Sequence, residues 1–202
     1  STGENGIYLT SSEGLLTLRT ILYEGGGATS EDLTRWFGQG FQFCDGDGSG
    51  GSPNGALAYG LKQGFGGPCG VLAAVQAEMI GNILFDADGN STAPAGTDLP
   101  TLSKAEIYKT FAKSICSILL RASADQEKIV LVDAEDFTFT SFDDASLMTQ
   151  RGINALTFTA IEAAEAHVLS RLDLFSSTSG VIFFVLSLVL SRGIERLQGD
   201  MD

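Results

Sequence analysis

Cys69 stands in the run Gly64-Phe65-Gly66-Gly67-Pro68-Cys69-Gly70-Val71-Leu72, where a thiol is placed to act as a nucleophile. Gly64, Gly66 and Gly67 leave the preceding backbone free to turn sharply, and Pro68, with its fixed φ and no N–H to lose, suits the first position of a helix. From there Val71, Leu72, Val75, Met79, Ile83 and Leu84 recur at helical spacing, which predicts a helix from Cys69 to about Phe85 with one buried face. A cysteine in the first helical turn meets leftover N–H groups and the positive end of the helix dipole, which favour a thiolate over a thiol. Gln63, six residues upstream, carries an amide that can donate to an oxyanion, the second requirement of acyl-transfer chemistry. A plainer reading is also open: a lone cysteine is most often a small packing residue.

The elements around this stretch must hold it. Leu15, Leu18, Ile21 and Leu22 predict a short amphipathic helix that ends at Gly25-Gly26-Gly27. Ser30 is placed to cap a second helix, with Glu31 and Asp32 in its first turn and Trp36 and Phe37 as buried bulk, and Phe41 and Phe43 alternate as in a strand. Downstream, Ser103 and Glu106 form a capping-box pair ahead of the stripe Ile107, Phe111, Ile115 and Ile118, on whose helix Cys116 is a packing residue. Strands are predicted at Lys128–Asp133, Phe137–Thr140 and Thr157–Thr159. Thr159 and Glu162 read as a second capping box opening a helix that runs past His167 to about Phe175. The last element starts after Ser179-Gly180, is apolar through Leu190, turns amphipathic at Arg192, Glu195 and Arg196, and stops at Gly199. Helices and strands interleave without a regular βαβ repeat, which predicts an α+β fold in one domain over residues 1–202.

Composition narrows the chemistry. The chain of 202 residues, 44% apolar and 18% charged, can bury a substantial core. A net charge of −13 argues against nucleic acid, whose phosphates call for clustered Lys and Arg, and suits a basic protein partner. Cys44, Cys69 and Cys116 are odd in number and lack paired metal spacing, which predicts neither a disulfide framework nor a zinc site and favours a reducing, intracellular compartment, cytoplasmic or nuclear. Two acidic loops, at 45–56 and 86–101, begin like calcium loops but present Ala56 and Thr97 where the bidentate glutamate belongs; they read as flexible loops, and no metal or cofactor is expected. The apolar run Val181–Leu190 is about half the roughly 20 residues of a membrane helix and reads as a core helix. The acids Asp133, Glu135, Asp136, Asp143 and Asp144 read as a solvated face.

The run from Gln63 to Gln76, with Gly-Gly-Pro-Cys-Gly-Val-Leu-Ala-Ala-Val-Gln inside it, resembles the nucleophile motif of the MINDY deubiquitinases, in the branch whose cysteine follows Gly-Gly-Pro. Leu18–Leu22, Trp36–Phe43 and Leu57–Gln63 are similar to the lead-in of that family, and Asp173–Asp202, with Ser191-Arg192-Gly193-Ile194-Glu195, is similar to a later helix of the same domain. The resemblance covers most of the chain and is weak in its middle third. It implies the N-terminal portion of a papain-like cysteine peptidase, with the nucleophile at the start of a central helix, acting on isopeptide bonds in polyubiquitin, typically lysine-48-linked. By motif, Cys69 is the nucleophile and Gln63 stabilises the oxyanion. The family's general-base histidine lies on a strand beyond residue 202; His167, the one histidine here, falls inside a predicted helix and does not take that role.

Three functions compete at this stage. One is a cysteine-type deubiquitinase, inactive in this stretch alone for want of its base. Another is a non-catalytic ubiquitin-binding or scaffold module of the same fold. The third is a papain-like peptidase with a different substrate.

Overall fold

Five phenylalanines and a tyrosine meet where the N-terminal segment crosses the helices, and the elements are arranged about that cluster. The computed structural model describes residues 5–9, 20, 29–44, 60–64, 66–85, 88–91, 102–133 and 153–201. In chain order these form β1 (Asn5–Leu9), α1 (Ser30–Phe37), β2 (Gln42–Phe43), β3 (Leu61–Lys62), α2 (Cys69–Leu84) and α3 (Lys104–Ala122). They are followed by β4 (Ile129–Val132), β5 (Ile153–Phe158), α4 (Ile161–Ser170), α5 (Leu172–Ser176), α6 (Gly180–Arg192) and α7 (Ile194–Met201). This is the expected α+β mixture, and among the described residues no helix is long and apolar enough to cross a membrane.

The strands form two antiparallel sheets, one in the order β1-β5-β4 and one of β2 with β3. β5 is the centre of the first, pairing Ile7 with Ala155 on one side and Leu131 with Leu156 on the other. All four residues of β4 are buried, which accounts for its unbroken apolar run Ile-Val-Leu-Val. Among the described residues its far edge is paired not with another strand but with a helix. The hydroxyl of Ser187 on α6 accepts the N–H of Val132 at 2.9 Å, and that of Ser191 accepts the N–H of Val130 at 3.0 Å. Two serines one helical turn apart thus satisfy the backbone groups that an edge strand leaves over.

The core is built from the apolar faces of α2 and α3. Leu72, Val75, Met79 and Ile83 of α2 are buried against Ile107, Phe111, Ile115 and Leu119 of α3. Polar ties run along their seam: Glu78 accepts from both guanidinium nitrogens of Arg121 and from Ser117, and Asn82 donates to Ser114 at 3.1 Å. Phe41 enters the same core, with ring centroids 5.2 Å from Phe111 and 5.7 Å from Phe184, while Phe111 also meets Phe43 and Phe175 and Phe43 meets Tyr108. Burial of α6 from Val181 through Phe184 and on to Val189 makes the apolar run a core helix, as its length indicated.

Several local expectations are corrected. α1 is capped by Thr29, not Ser30, because Thr29 forms the reciprocal box with Asp32 and Ser30 is already helical. The Ser103–Glu106 box forms as read from the spacing. The Thr159–Glu162 box does not: α4 starts after Ala160 with no side-chain cap, since β5 runs through Phe158 and leaves Thr159 in the connecting bend. The helix expected to reach Phe175 breaks at Arg171 into α4 and α5. The final helix breaks at Gly193, whose φ of +89° a side chain rarely adopts, and α7 then continues through Gly199. β1 was not read from the sequence; it is a five-residue strand held by pairing with β5, more than a hundred residues away. The strand at Phe137–Thr140, the 45–56 loop and the acids Glu135, Asp136, Asp143 and Asp144 lie outside the described residues, as do the helix expected at Leu15–Leu22, apart from Thr20, and most of 86–101. Within the latter, residues 88–91 form a turn with Gly89 at φ +78°, closed by a bridge between Phe85 and Ser91.

Candidate active site

Cys69 is the first residue of α2 and is exposed. The helix begins where expected, one residue later than the proline position read from the sequence: Pro68 is the N-cap, and its carbonyl accepts from Val71 and Leu72 at 3.0 and 3.1 Å. The N–H groups of Cys69 and Gly70 therefore precede the first helical bonds, the place where a helix leaves donors over. Pro68 supplies no side-chain cap, and the first turn contains no acidic residue. Of the three glycines before the cysteine, only Gly67 takes a φ that disfavours side chains, +143°, and a Cβ on it would stand 3.3 Å from the Arg35 Cβ. That glycine lets the turn into α2 lie against the end of α1.

The other two cysteines are differently placed. Cys44 is half-buried, whereas Cys116 is fully buried in the core, and that burial, reinforced by the nearby Glu165, pushes its thiol far above the ordinary cysteine range. All three are free thiols. Cys116 is a packing residue, as its helical position indicated.

Gln63 is exposed and follows directly on β3. Three ties hold the backbone around it, one of them to α2. β3 pairs with β2 through Gln42 with Lys62 and Phe43 with Leu61, a ladder extended by the Cys44 N–H donating to Gly60 at 2.8 Å. Gln76 accepts the N–H of Leu61 at 2.7 Å and so fastens β3 to the helix that begins with Cys69, two turns further along the same face. Gln39, only 2% exposed, accepts the N–H of Gly64 at 3.0 Å and donates to the carbonyl of Lys62 at 3.3 Å. Gln63 is thus bracketed by bonds to its two neighbours.

Neither Gln39 nor Gln76 was singled out from the sequence. For Gln76 the signal is its place seven residues after Cys69; for Gln39 it is a polar side chain between two glycines and flanked by Phe37 and Phe41.

His167 lies elsewhere. On α4 it faces Asp133 with 3.7 Å from Nε2 to Oδ2, beneath the ring of Phe158, and Arg171 binds the same carboxylate. Asp133 is therefore no part of a solvated face. Its side chain is 12% exposed and ties the end of β4 to α4, because an adjacent guanidinium offsets the burial of its charge.

Comparison with known proteins bears on a span that contains Gln39, Gln63, Cys69 and Gln76. The chain is 33% identical over 156 residues to the probable ubiquitin carboxyl-terminal hydrolase MINDY-4 of Xenopus tropicalis, covering 74% of this chain and 19% of that protein. It is 27% identical over 198 residues to the ubiquitin carboxyl-terminal hydrolase MINDY-3 of Danio rerio, covering 88% of this chain and 42% of that protein, and 27% identical over 153 residues to the probable MINDY-4 hydrolase of Homo sapiens. The chain thus spans about a fifth to two fifths of the length of the curated relatives it matches. No solved structure matches it. Residues 19–202 match the family described as deubiquitinating enzyme MINDY-3/4, conserved domain, and with nine-tenths of its length in that match the chain belongs to the MINDY-3/4 family.

Proposed function

We propose that the chain is the nucleophile-bearing part of a papain-like deubiquitinase that hydrolyses isopeptide bonds in polyubiquitin, lysine-48-linked chains first among them. The observation that carries this reading is the exposed Cys69 at the head of a buried-faced helix, with the strand that leads into the exposed Gln63 tied to that same helix by the bond from the Leu61 N–H to Gln76. Membership of a family described as deubiquitinating enzymes supports it.

In this mechanism the Cys69 thiolate attacks the isopeptide carbonyl and a carbon–sulfur bond forms. The carbonyl oxygen takes up the displaced electron pair and is held by the Gln63 amide and the Cys69 N–H, donors that strengthen as the charge develops. The carbon–nitrogen bond then breaks, the leaving lysine amine takes a proton from the general acid, and water hydrolyses the thioester to release the carboxylate and the thiol. The group that moves the proton is a histidine that the family resemblance puts after residue 202. His167 is not given that role: it lies on α4 with its side chain only 15% exposed, packed against Asp133 and Phe158. The free thiols fit a reducing, intracellular compartment.

The test is labelling of the full-length protein by ubiquitin carrying a C-terminal electrophile, with the adduct mapped by mass spectrometry, followed by cleavage of di-ubiquitins of each linkage. An adduct on Cys69 and cleavage of the lysine-48 linkage are expected. Labelling at Cys44 instead, or none, would leave a module that binds ubiquitin without cutting it, and turnover of ordinary peptides but not of di-ubiquitin would point to a different substrate.

A further inference from the structure

We propose that Gln39 is the positioning residue for Gln63, holding the oxyanion donor in register with Cys69; this rests on the role given to Gln63 above. The primary amide of Gln39 is 2% exposed, and burying such a group costs free energy unless its donors and acceptor are bonded. Its bonds go to Gly40 at 2.6 Å, to the Lys62 carbonyl at 3.3 Å and from the Gly64 N–H at 3.0 Å. Two of these three reach across more than twenty residues of sequence to the peptide groups on either side of one residue. The Lys62 carbonyl belongs to the peptide plane that enters Gln63 and the Gly64 N–H to the plane that leaves it. Because each plane is rigid, holding both holds φ and ψ of Gln63, and with them the direction in which its side chain departs.

The anchor is itself immobilised from behind. The Gln39 carbonyl accepts the Val181 N–H at 3.2 Å, and the Phe41 N–H donates to Phe175 at 2.9 Å. Gly40 lies so close to the turn between α5 and α6 that a Cβ would stand 1.9 Å from the Ser177 carbonyl oxygen. Phe41 then enters the aromatic core. A continuous path of bonds therefore runs from the buried junction of α5 and α6, through one amide, to the backbone of the exposed Gln63. An apolar side chain of the same volume would fill the space and leave both peptide groups without this partner.

The experiment uses the full-length protein with lysine-48-linked di-ubiquitin. Gln39→Glu keeps size and the acceptor for Gly64 but loses the donor to Lys62, and Gln39→Met loses both. Either variant is expected to lower kcat by about tenfold to a hundredfold, the range of a displaced oxyanion donor, with KM and the rate of Cys69 alkylation by iodoacetamide unchanged. Amide exchange at Gly64 is expected to quicken, most in Gln39→Met. In a Gln63→Ala background the Gln39 substitutions are expected to cost less than about twofold more, since both act through one group. If Gln63→Ala alone turns over like the parent, the oxyanion role fails and this proposal with it. If Gln63→Ala is slow but the Gln39 losses multiply with it, or if Gly64 exchange is unchanged in Gln39→Met, only the positioning role falls. Should Gln39→Glu not fold, Gln39→Met and the exchange measurement decide.

Discussion

Glu78 on α2 and Arg121 on α3 face each other in a two-pronged ion pair, 2.9 Å and 2.7 Å between guanidinium nitrogens and carboxylate oxygens, with Ser117 donating to the same carboxylate at 3.0 Å. The Arg121 hydrogen bond, first among several favourable contacts, holds the Glu78 carboxyl below its ordinary value of 4.5 despite partial burial. A carboxyl depressed in the folded state adds stability above its unfolded value and loses it as pH falls through the folded one. Glu78→Gln is therefore expected to lower stability by about 0.5 kcal/mol at neutral pH, modest because Arg121 is largely exposed. The gap between the two proteins should therefore close as pH falls below 4.5 and through the lower folded-state value. Denaturant titrations from pH 7 downward through the acid range check this, and a gap that does not narrow at any pH where the protein stays folded would mean that shape, not charge, sets the difference.

Cys69→Ala is expected to remove turnover in the full-length protein, by on the order of 10⁴-fold or more, while leaving stability within about 0.5 kcal/mol. The residue is exposed at a helix start and contributes little packing. Initial rates on di-ubiquitin and a thermal melt, run side by side, separate the two effects. Retained turnover would move the nucleophile elsewhere.

For Gln63→Ala the expected loss is about a hundredfold in kcat with KM little changed, since the amide acts on charge present only in the transition state. Steady-state kinetics decide it. A rise in KM at constant kcat would make Gln63 a substrate-binding residue instead.

Ser187→Ala should cost about 1–3 kcal/mol, because the buried Val132 N–H loses its acceptor and the methyl cannot replace it. Urea unfolding measures it. A change below about 0.5 kcal/mol would show that water or a shifted helix takes over the bond.

Gly40→Ala is expected to destabilise by about 1–3 kcal/mol or more, since the new methyl meets two backbone oxygens of the turn, Ser177 at 1.9 Å and Ser176 at 2.6 Å, neither of which can swing away. The companion site is Gly180, whose Cβ would stand 1.8 Å from the Phe175 oxygen, so these close approaches lock the α5–α6 junction from both sides. A melt unchanged by Gly40→Ala would mean that the junction yields easily.

What could be read from the order of residues was local. α2 and α3 announce themselves because their apolar residues repeat at the helical period, and the Ser103–Glu106 box acts over three residues. Cys69 at a helix start follows from the same pattern. The sheet was harder: β1 has five residues and, among the described residues, pairs only with the distant β5, so nothing beside it in sequence marks it as a strand. Thr159 satisfied a capping pattern that β5 overrode by extending to Phe158. Gln39 and Gln76 escaped notice for the same reason, since each earns its role from a backbone group brought in by the fold: Gly64 lies 25 residues from Gln39, and Leu61 lies 15 from Gln76.

The serine hydroxyls that meet Val130 and Val132 have a consequence for assembly. With that margin of the three-stranded sheet already occupied by a helix, an extended segment arriving from a partner or from another part of the same polypeptide finds no ladder to join there. Among the described residues, the border of this sheet that neither strand nor helix pairs with is the opposite one, at Ile7 and its neighbours.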